Sequence, residues 1–149
     1  MNDGTVPKRP ASPGGVRALV SNRQRLPVDD GGLAALAERT LAAEGYSEGE
    51  LSISFVSPEE MEELHVRYMG EKGTTDVLSF PLDEDGLLGD VVVCPAEAAR
   101  NRDDLQAELR LLVVHGVLHL LGYDHQEEDE RARMWAKQET YARNQRSRP

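Results

Sequence analysis

The stretch LLVVHGVLHLL, residues 111–121, decides the fold of this 149-residue chain. On a helix its apolar residues cover every side, which is typical of a helix buried in the middle of a domain. Asp103 or Asp104 can begin such a helix, because an aspartate there caps the first backbone N–H groups, and Gly122 can end it. We therefore expect a central buried helix that runs from one of these aspartates through Leu121.

The segments around this helix show the periodicity of either strands or helices. Strand patterns occupy residues 16–22, 51–57, 75–81 and 89–95, and helix patterns occupy residues 31–45, 58–68, 96–101 and 127–145. Pro81 is expected to end the third strand, because proline cannot donate a backbone hydrogen bond to a sheet. This order predicts an α+β fold, in which a small mixed four-stranded sheet packs against about five helices in a single layered domain.

The two ends of the chain differ from this pattern in composition. Residues 1–15 combine Pro, Gly and Ser without periodicity, so we expect a disordered lead-in there. Residues 16–145 are expected to form the single domain, and residues 146–149 a flexible tail.

Cysteine content and hydrophobicity restrict the cellular compartment. Cys94 is the only cysteine, which excludes an intrachain disulfide and a zinc site built from several cysteines. The N-terminus has no apolar run of the length that a signal peptide needs, and residues 111–121 are too few to span a bilayer. We therefore expect a cytoplasmic protein that has no membrane partner.

The net charge of −10 is distributed unevenly along the chain. Residues 1–26 carry +4 and residues 134–149 carry +3, which leaves −17 on residues 27–133. Because an acidic surface repels polyanions, binding of nucleic acid would need a metal ion, the basic ends or a partner protein to provide positive potential.

The segment HGVLHLLGYDH, residues 115–125, holds three of the four histidines. His115 and His119 are four residues apart, so on a helix they share one face with Cβ atoms about 5–6 Å apart. Gly122 lets the chain turn back, so that His125 can approach the same ion. Three imidazoles leave a fourth position on zinc open, which is the arrangement of a catalytic metal site.

Two other interpretations of the histidines stay open. They could be core residues that are satisfied by hydrogen bonds, or they could hold a structural zinc whose fourth ligand is Asp124 or His65.

The spacing of the histidines also matches that of the metzincin peptidases, apart from Gly116, which stands where those enzymes place a glutamate. Without that general base, peptide hydrolysis is disfavoured, and Gly116 is expected to admit close packing or substrate approach.

The chain resembles the YbeY family of rRNA maturation factors. The resemblance covers about residues 16–140 and depends on TDVLSFP (75–81), GDVVVCP (89–95) and the histidine segment. It implies a metal-dependent, single-strand-specific endoribonuclease with one zinc ion per chain on His115, His119 and His125. It further implies a role in 16S rRNA 3′-end maturation and ribosome quality control, with the small ribosomal subunit and its proteins as partners and without a DNA substrate.

One position departs from the family pattern. The family often has arginine before the glycine of a Y-R-G segment, whereas this chain has Met69 there. Arg67 is a weak candidate to replace it, because it lies about 200° around a helix from Met69. The sequence therefore identifies no catalytic side chain. An alternative function is a ribosome-assembly binding factor that has a structural zinc and little nuclease activity of its own.

Overall fold

A computed structural model describes residues 15–70, 72–123 and 128–144, without the side chains of Asp83 and Asn144. The lead-in predicted for residues 1–15 lies outside this description except for Gly15, and the predicted tail lies wholly outside it.

The described residues form four strands and five helices. In chain order these are β1 (Val16–Asn22), α1 (Asp30–Ala43), β2 (Gly49–Phe55), α2 (Pro58–Met69), β3 (Val77–Glu84), β4 (Leu87–Val93), α3 (Pro95–Ala98), α4 (Leu105–Leu120) and α5 (Glu128–Asn144). The strands form one sheet in the order β1-β2-β4-β3, in which β1, β2 and β4 are parallel and β3 is antiparallel to β4. The predicted α+β fold with a mixed four-stranded sheet is confirmed.

The sheet separates a large core from a small one. Neighbouring side chains of β4 point to opposite faces, so that Val91 and Val93 join the large core while Val92 joins the small one. Helices α1, α4 and α5 contribute to the large core, whereas α2 contributes Met61 to the small core. Consequently α4 and α2 lie on opposite faces of the sheet.

Polar side chains cap the first turns of three helices, as the sequence predicts for α4. The side chain of Ser57 accepts a hydrogen bond from the backbone N–H of Glu60 at the start of α2. Asp104, rather than Asp103, caps α4 by accepting from the backbone N–H of Ala107. Asp29 caps α1 in the same way. Each cap satisfies a backbone donor that the helix itself leaves unpaired.

The prediction that Pro81 ends its strand is wrong, because β3 continues to Glu84. Two features of the sheet explain why proline is tolerated. Strand β3 lies at the edge of the sheet, so one of its sides has no hydrogen-bonded neighbouring strand. Its register with β4 also shifts between Pro81 and Glu84. A turn follows at Asp85 and Gly86, whose positive φ angles of 51° and 80° are typical of a tight hairpin.

Across the described ranges, no helix has both the length and the apolar character that crossing a membrane requires.

Candidate metal centre

Helix α4 lies close against the sheet, and a glycine makes this approach possible. Gly116 is buried over β4, and a Cβ atom added to it would lie 2.5 Å from Val91 Cγ1. Val91 is fully buried, so its short side chain cannot swing into solvent. The close packing expected at Gly116 is confirmed, and a glutamate at this position would require the helix and sheet to move apart.

His115 and His119 lie one turn apart on α4, and both are partly buried. Their ring centroids are 4.9 Å apart and their planes are inclined by 56°. Two rings at this separation can offer nitrogen atoms to one zinc ion, whose bonds to imidazole nitrogen are about 2.0–2.1 Å long. The structure therefore brings together two of the three predicted ligands in an arrangement that fits a metal ion.

A glutamine from α5 contacts the first of these histidines. Gln138 Oε1 lies 3.1 Å from His115 Nδ1, and Gln138 is only 6% exposed. Because an amide oxygen only accepts hydrogen bonds, His115 Nδ1–H is the donor. Sequence reasoning missed Gln138, which lies 23 positions further along the chain.

The third predicted ligand, His125, lies outside the described residues, as does Asp124. Among the residues that the structure does describe, no three His, Cys, Asp or Glu side chains group together to hold an ion. His65 lies on α2, on the opposite face of the sheet from α4, and its Nδ1 is 3.1 Å from the carbonyl oxygen of Gly73. His65 therefore does not join the pair on α4.

The segment that departs from the family pattern is at the end of α2. The helix continues to Met69, which is 54% exposed, and Gly70 then ends it in a left-handed conformation with φ 70°. Arg67 lies 4.0 Å from Glu63 on the same helix and carries a 60% exposed side chain. Because the helix persists, Arg67 and Met69 point in different directions, so Arg67 is not placed to replace an arginine at position 69.

The TDVLSFP segment lies beside α4 and is tied to it by hydrogen bonds. Ser79 Oγ donates to the carbonyl oxygen of Gly116 at 3.3 Å. Asn101 Nδ2 donates to Asp76 Oδ2 at 3.0 Å and to Glu108 Oε2, on α4, at 2.9 Å. The TDVLSFP and histidine segments, on which the family resemblance depends, are thus neighbours in space.

A buried carboxylate anchors α5 beside the histidines. Glu44 follows α1, has an 8% exposed side chain, and accepts from Lys137 Nζ at 2.9 Å. It also accepts from the hydroxyls of Tyr123 at 2.6 Å and Tyr141 at 2.5 Å. These contacts join the end of α1 to α5 and to the chain just before His125. Sequence reasoning also missed this cluster.

The same contacts determine the charge state of the cluster. Burial acts to raise the pKa of Glu44, but hydrogen bonds from Lys137 and the two tyrosines outweigh it and hold the pKa below its ordinary value of 4.5. The hydrogen bond to Glu44 raises the pKa of Lys137. Burial, together with the nearby carboxylate, raises the pKa of Tyr123 and Tyr141. At neutral pH the cluster is therefore an ion pair with two hydroxyl donors.

Comparison with known proteins assigns the chain to a family. The family model described as Endoribonuclease YbeY matches residues 20–145. A protein named Endoribonuclease YbeY from Thermobifida fusca is 46% identical over 135 residues, which cover 80% of this chain and 87% of that protein. One of the same name from Streptomyces coelicolor is 42% identical over 138 residues, which cover 80% of this chain and 84% of that protein.

A solved structure supports the same assignment. The solution structure of a protein from Thermotoga maritima superposes with a TM-score of 0.62 and is 30% identical, covering 87% of this chain and 88% of that one. The three sequence segments on which the family resemblance depends lie within the range that the family model matches. The chain therefore belongs to the YbeY family of endoribonucleases.

Proposed function

We propose that this protein is a zinc-dependent endoribonuclease that cuts single-stranded RNA in 16S rRNA 3′-end maturation and ribosome quality control. The observation that supports this most directly is the pair of histidines on α4 in a chain of this family, with ring centroids 4.9 Å apart. The small ribosomal subunit and its proteins are the proposed partners.

The chain would hold one zinc ion through His115, His119 and His125. Imidazole nitrogen suits zinc, and three such ligands leave a position for solvent or substrate. When bound, the ion would supply positive charge for a phosphate oxygen and would lower the pKa of a water molecule. The ion would also supply local positive potential in a body whose residues 27–133 carry −17 and otherwise repel RNA.

The protein around the pair orients these ligands. Gly116 lets α4, the helix that carries both imidazoles, lie close against Val91 of β4. Ser79 reinforces the position by donating to the carbonyl oxygen of Gly116. A peptidase function is disfavoured, because the residue after His115 has no carboxylate and no space for one.

The proposal is tested by RNA cleavage with purified protein and a single-stranded 16S rRNA 3′ precursor, with double-stranded RNA as a second substrate. His115→Ala should lose both zinc, measured by elemental analysis, and cleavage of the single strand. His65→Ala is the matched control, because it also removes an imidazole but lies on the other face of the sheet, and it should retain both.

One result would contradict this function. If folded His115→Ala cleaves RNA at the wild-type rate, the activity does not come from this site. The alternative, an assembly factor with a structural zinc, would then be preferred if the variant also loses binding to the small subunit.

A further inference from the structure

Gln138 is a buried polar residue on α5 to which the sequence assigns no role. Its side-chain oxygen lies 3.1 Å from His115 Nδ1, and the residue is 6% exposed. Burial of an amide without a hydrogen-bond partner costs free energy, so the contact with His115 stabilises Gln138 in its buried position.

The contact determines which nitrogen of His115 carries the proton. In a neutral imidazole one ring nitrogen donates and the other accepts, and the partner of the first decides the tautomer. Donation from Nδ1 to Gln138 places the lone pair on Nε2. A metal ion needs a nitrogen with a lone pair, so the contact presents His115 to the ion through Nε2.

Two neighbouring contacts hold Gln138 in place. Lys137, the preceding residue, is anchored to Glu44, whose side chain is 8% exposed. Met134 and Ala142, one turn away on either side, are buried in the large core. The acceptor is therefore carried on a helix that is fixed by both an ion pair and apolar packing.

We propose that Gln138 is a positioning residue for the metal centre. It selects the Nδ1–H tautomer of His115 and orients the ring, and it thereby raises the affinity for the ion without contacting it. This inference rests on the proposed function, since it concerns the same ion.

Nitrogen-15 NMR of the histidine rings in metal-free protein tests the tautomer directly. Wild type should show Nδ1 of His115 protonated and Nε2 unprotonated. Gln138→Met, which keeps the length of the side chain but removes the acceptor, should lose this preference. Gln138→Glu, which keeps an acceptor, should retain it. Lys137→Met is the matched control, because it weakens the anchoring of α5 without removing the acceptor, and it should retain the tautomer.

Zinc titration of the same four proteins provides the second measurement. We expect Gln138→Met to bind zinc about 10- to 100-fold more weakly than wild type and Gln138→Glu to bind at least as tightly as wild type. If wild type binds zinc and Gln138→Met matches it in both tautomer and affinity, the inference is overturned. If wild type itself binds no zinc, the proposed function fails instead, and the NMR result alone decides whether Gln138 controls the tautomer.

Discussion

Helix α4 has two sides that differ in what they require of the sequence. On the side that faces the sheet, Gly116 lies so close to Val91 that no Cβ atom fits between them. On the side that faces α5, His115 contacts Gln138, and His119 lies one turn further on. The side that faces the sheet requires a residue without a side chain, so that the helix can lie close to β4. The side that faces α5 requires the imidazole nitrogens of His115 and His119. Substitutions on the two sides should therefore affect different properties of the protein.

The largest effect is expected on the histidine side. His119→Ala should reduce cleavage of single-stranded RNA more than about 100-fold, since even the outer partners of metal ligands contribute 10- to 100-fold to metal affinity or activity. The unfolding free energy of the metal-free protein should change by less than about 1 kcal/mol. Cleavage assays and urea unfolding measure the two quantities. If His119→Ala instead lost much stability but still bound zinc, the histidine side would serve packing rather than metal binding, and the two sides would not differ in function.

On the sheet side, Gly116→Ala should have the opposite profile. Alanine is the better helix former by about 1 kcal/mol, but its Cβ would meet Val91, and overpacking of a core typically costs about 1–3 kcal/mol. We therefore expect a net destabilisation in urea unfolding, with zinc still bound by the folded fraction. In a double-mutant cycle with Val91→Ala, the two substitutions should show a favourable coupling of about 1 kcal/mol. Strict additivity would contradict the proposed contact.

The anchoring of α5 predicts a smaller effect that depends on pH. Because the folded-state pKa of Glu44 is below its ordinary value of 4.5, the ionised carboxylate stabilises the fold fully above about that pH and loses this contribution as the pH falls through the lowered pKa. Glu44→Gln should destabilise the protein by about 1–2 kcal/mol at pH 7, a reduced figure because Lys137 is 33% exposed.

The measurement is the unfolding free energy of wild type and Glu44→Gln between pH 7 and pH 3. The difference between the two proteins should shrink as the pH falls. A constant difference would show that the charge on Glu44 contributes nothing. Glu63→Gln is the matched control, because this exposed carboxylate is paired with Arg67 on the surface of α2 and should have little effect at any pH.

The smallest change in stability is expected at Met69, which is 54% exposed. Met69→Arg should change the unfolding free energy by no more than about 0.5 kcal/mol. If the family arginine contacts RNA, the same variant should cleave single-stranded RNA several-fold faster, because a guanidinium at the end of α2 can bind a phosphate. Arg67→Met, on a different side of the helix, should leave cleavage unchanged. Changes of similar size and opposite direction, with faster cleavage by Met69→Arg and slower cleavage by Arg67→Met, would show only a general effect of charge.

Much of the fold could be predicted from periodicity and helix signals close together in the sequence. The buried central helix, its cap at Asp104 and the mixed four-stranded sheet are all confirmed. The nuclease class of enzyme, which the family resemblance implies, is also confirmed, because the matching family model and the similar proteins are described as Endoribonuclease YbeY. Pro81 was predicted wrongly, because the tolerance of an edge strand for proline depends on strand order, which local patterns do not reveal.

The missed residues share one physical property, which is that their partners are distant in sequence. Gln138 and His115 are 23 positions apart, and Glu44 and Lys137 are 93 positions apart. Helical periodicity treats Gln138 and Lys137 as ordinary polar residues of an amphipathic helix. Only the packing of α5 against α4 and the end of α1 shows that Gln138 is buried and that both side chains have specific partners.

The central claim is that three histidines of one segment hold a single zinc ion. X-ray absorption at the zinc edge of the purified, zinc-loaded protein tests it most directly. The account predicts light-atom ligands at about 2.0–2.1 Å together with the outer scattering of three imidazole rings, from His115, His119 and His125. A spectrum with fewer than three imidazoles, or with sulfur at about 2.3 Å, would contradict it.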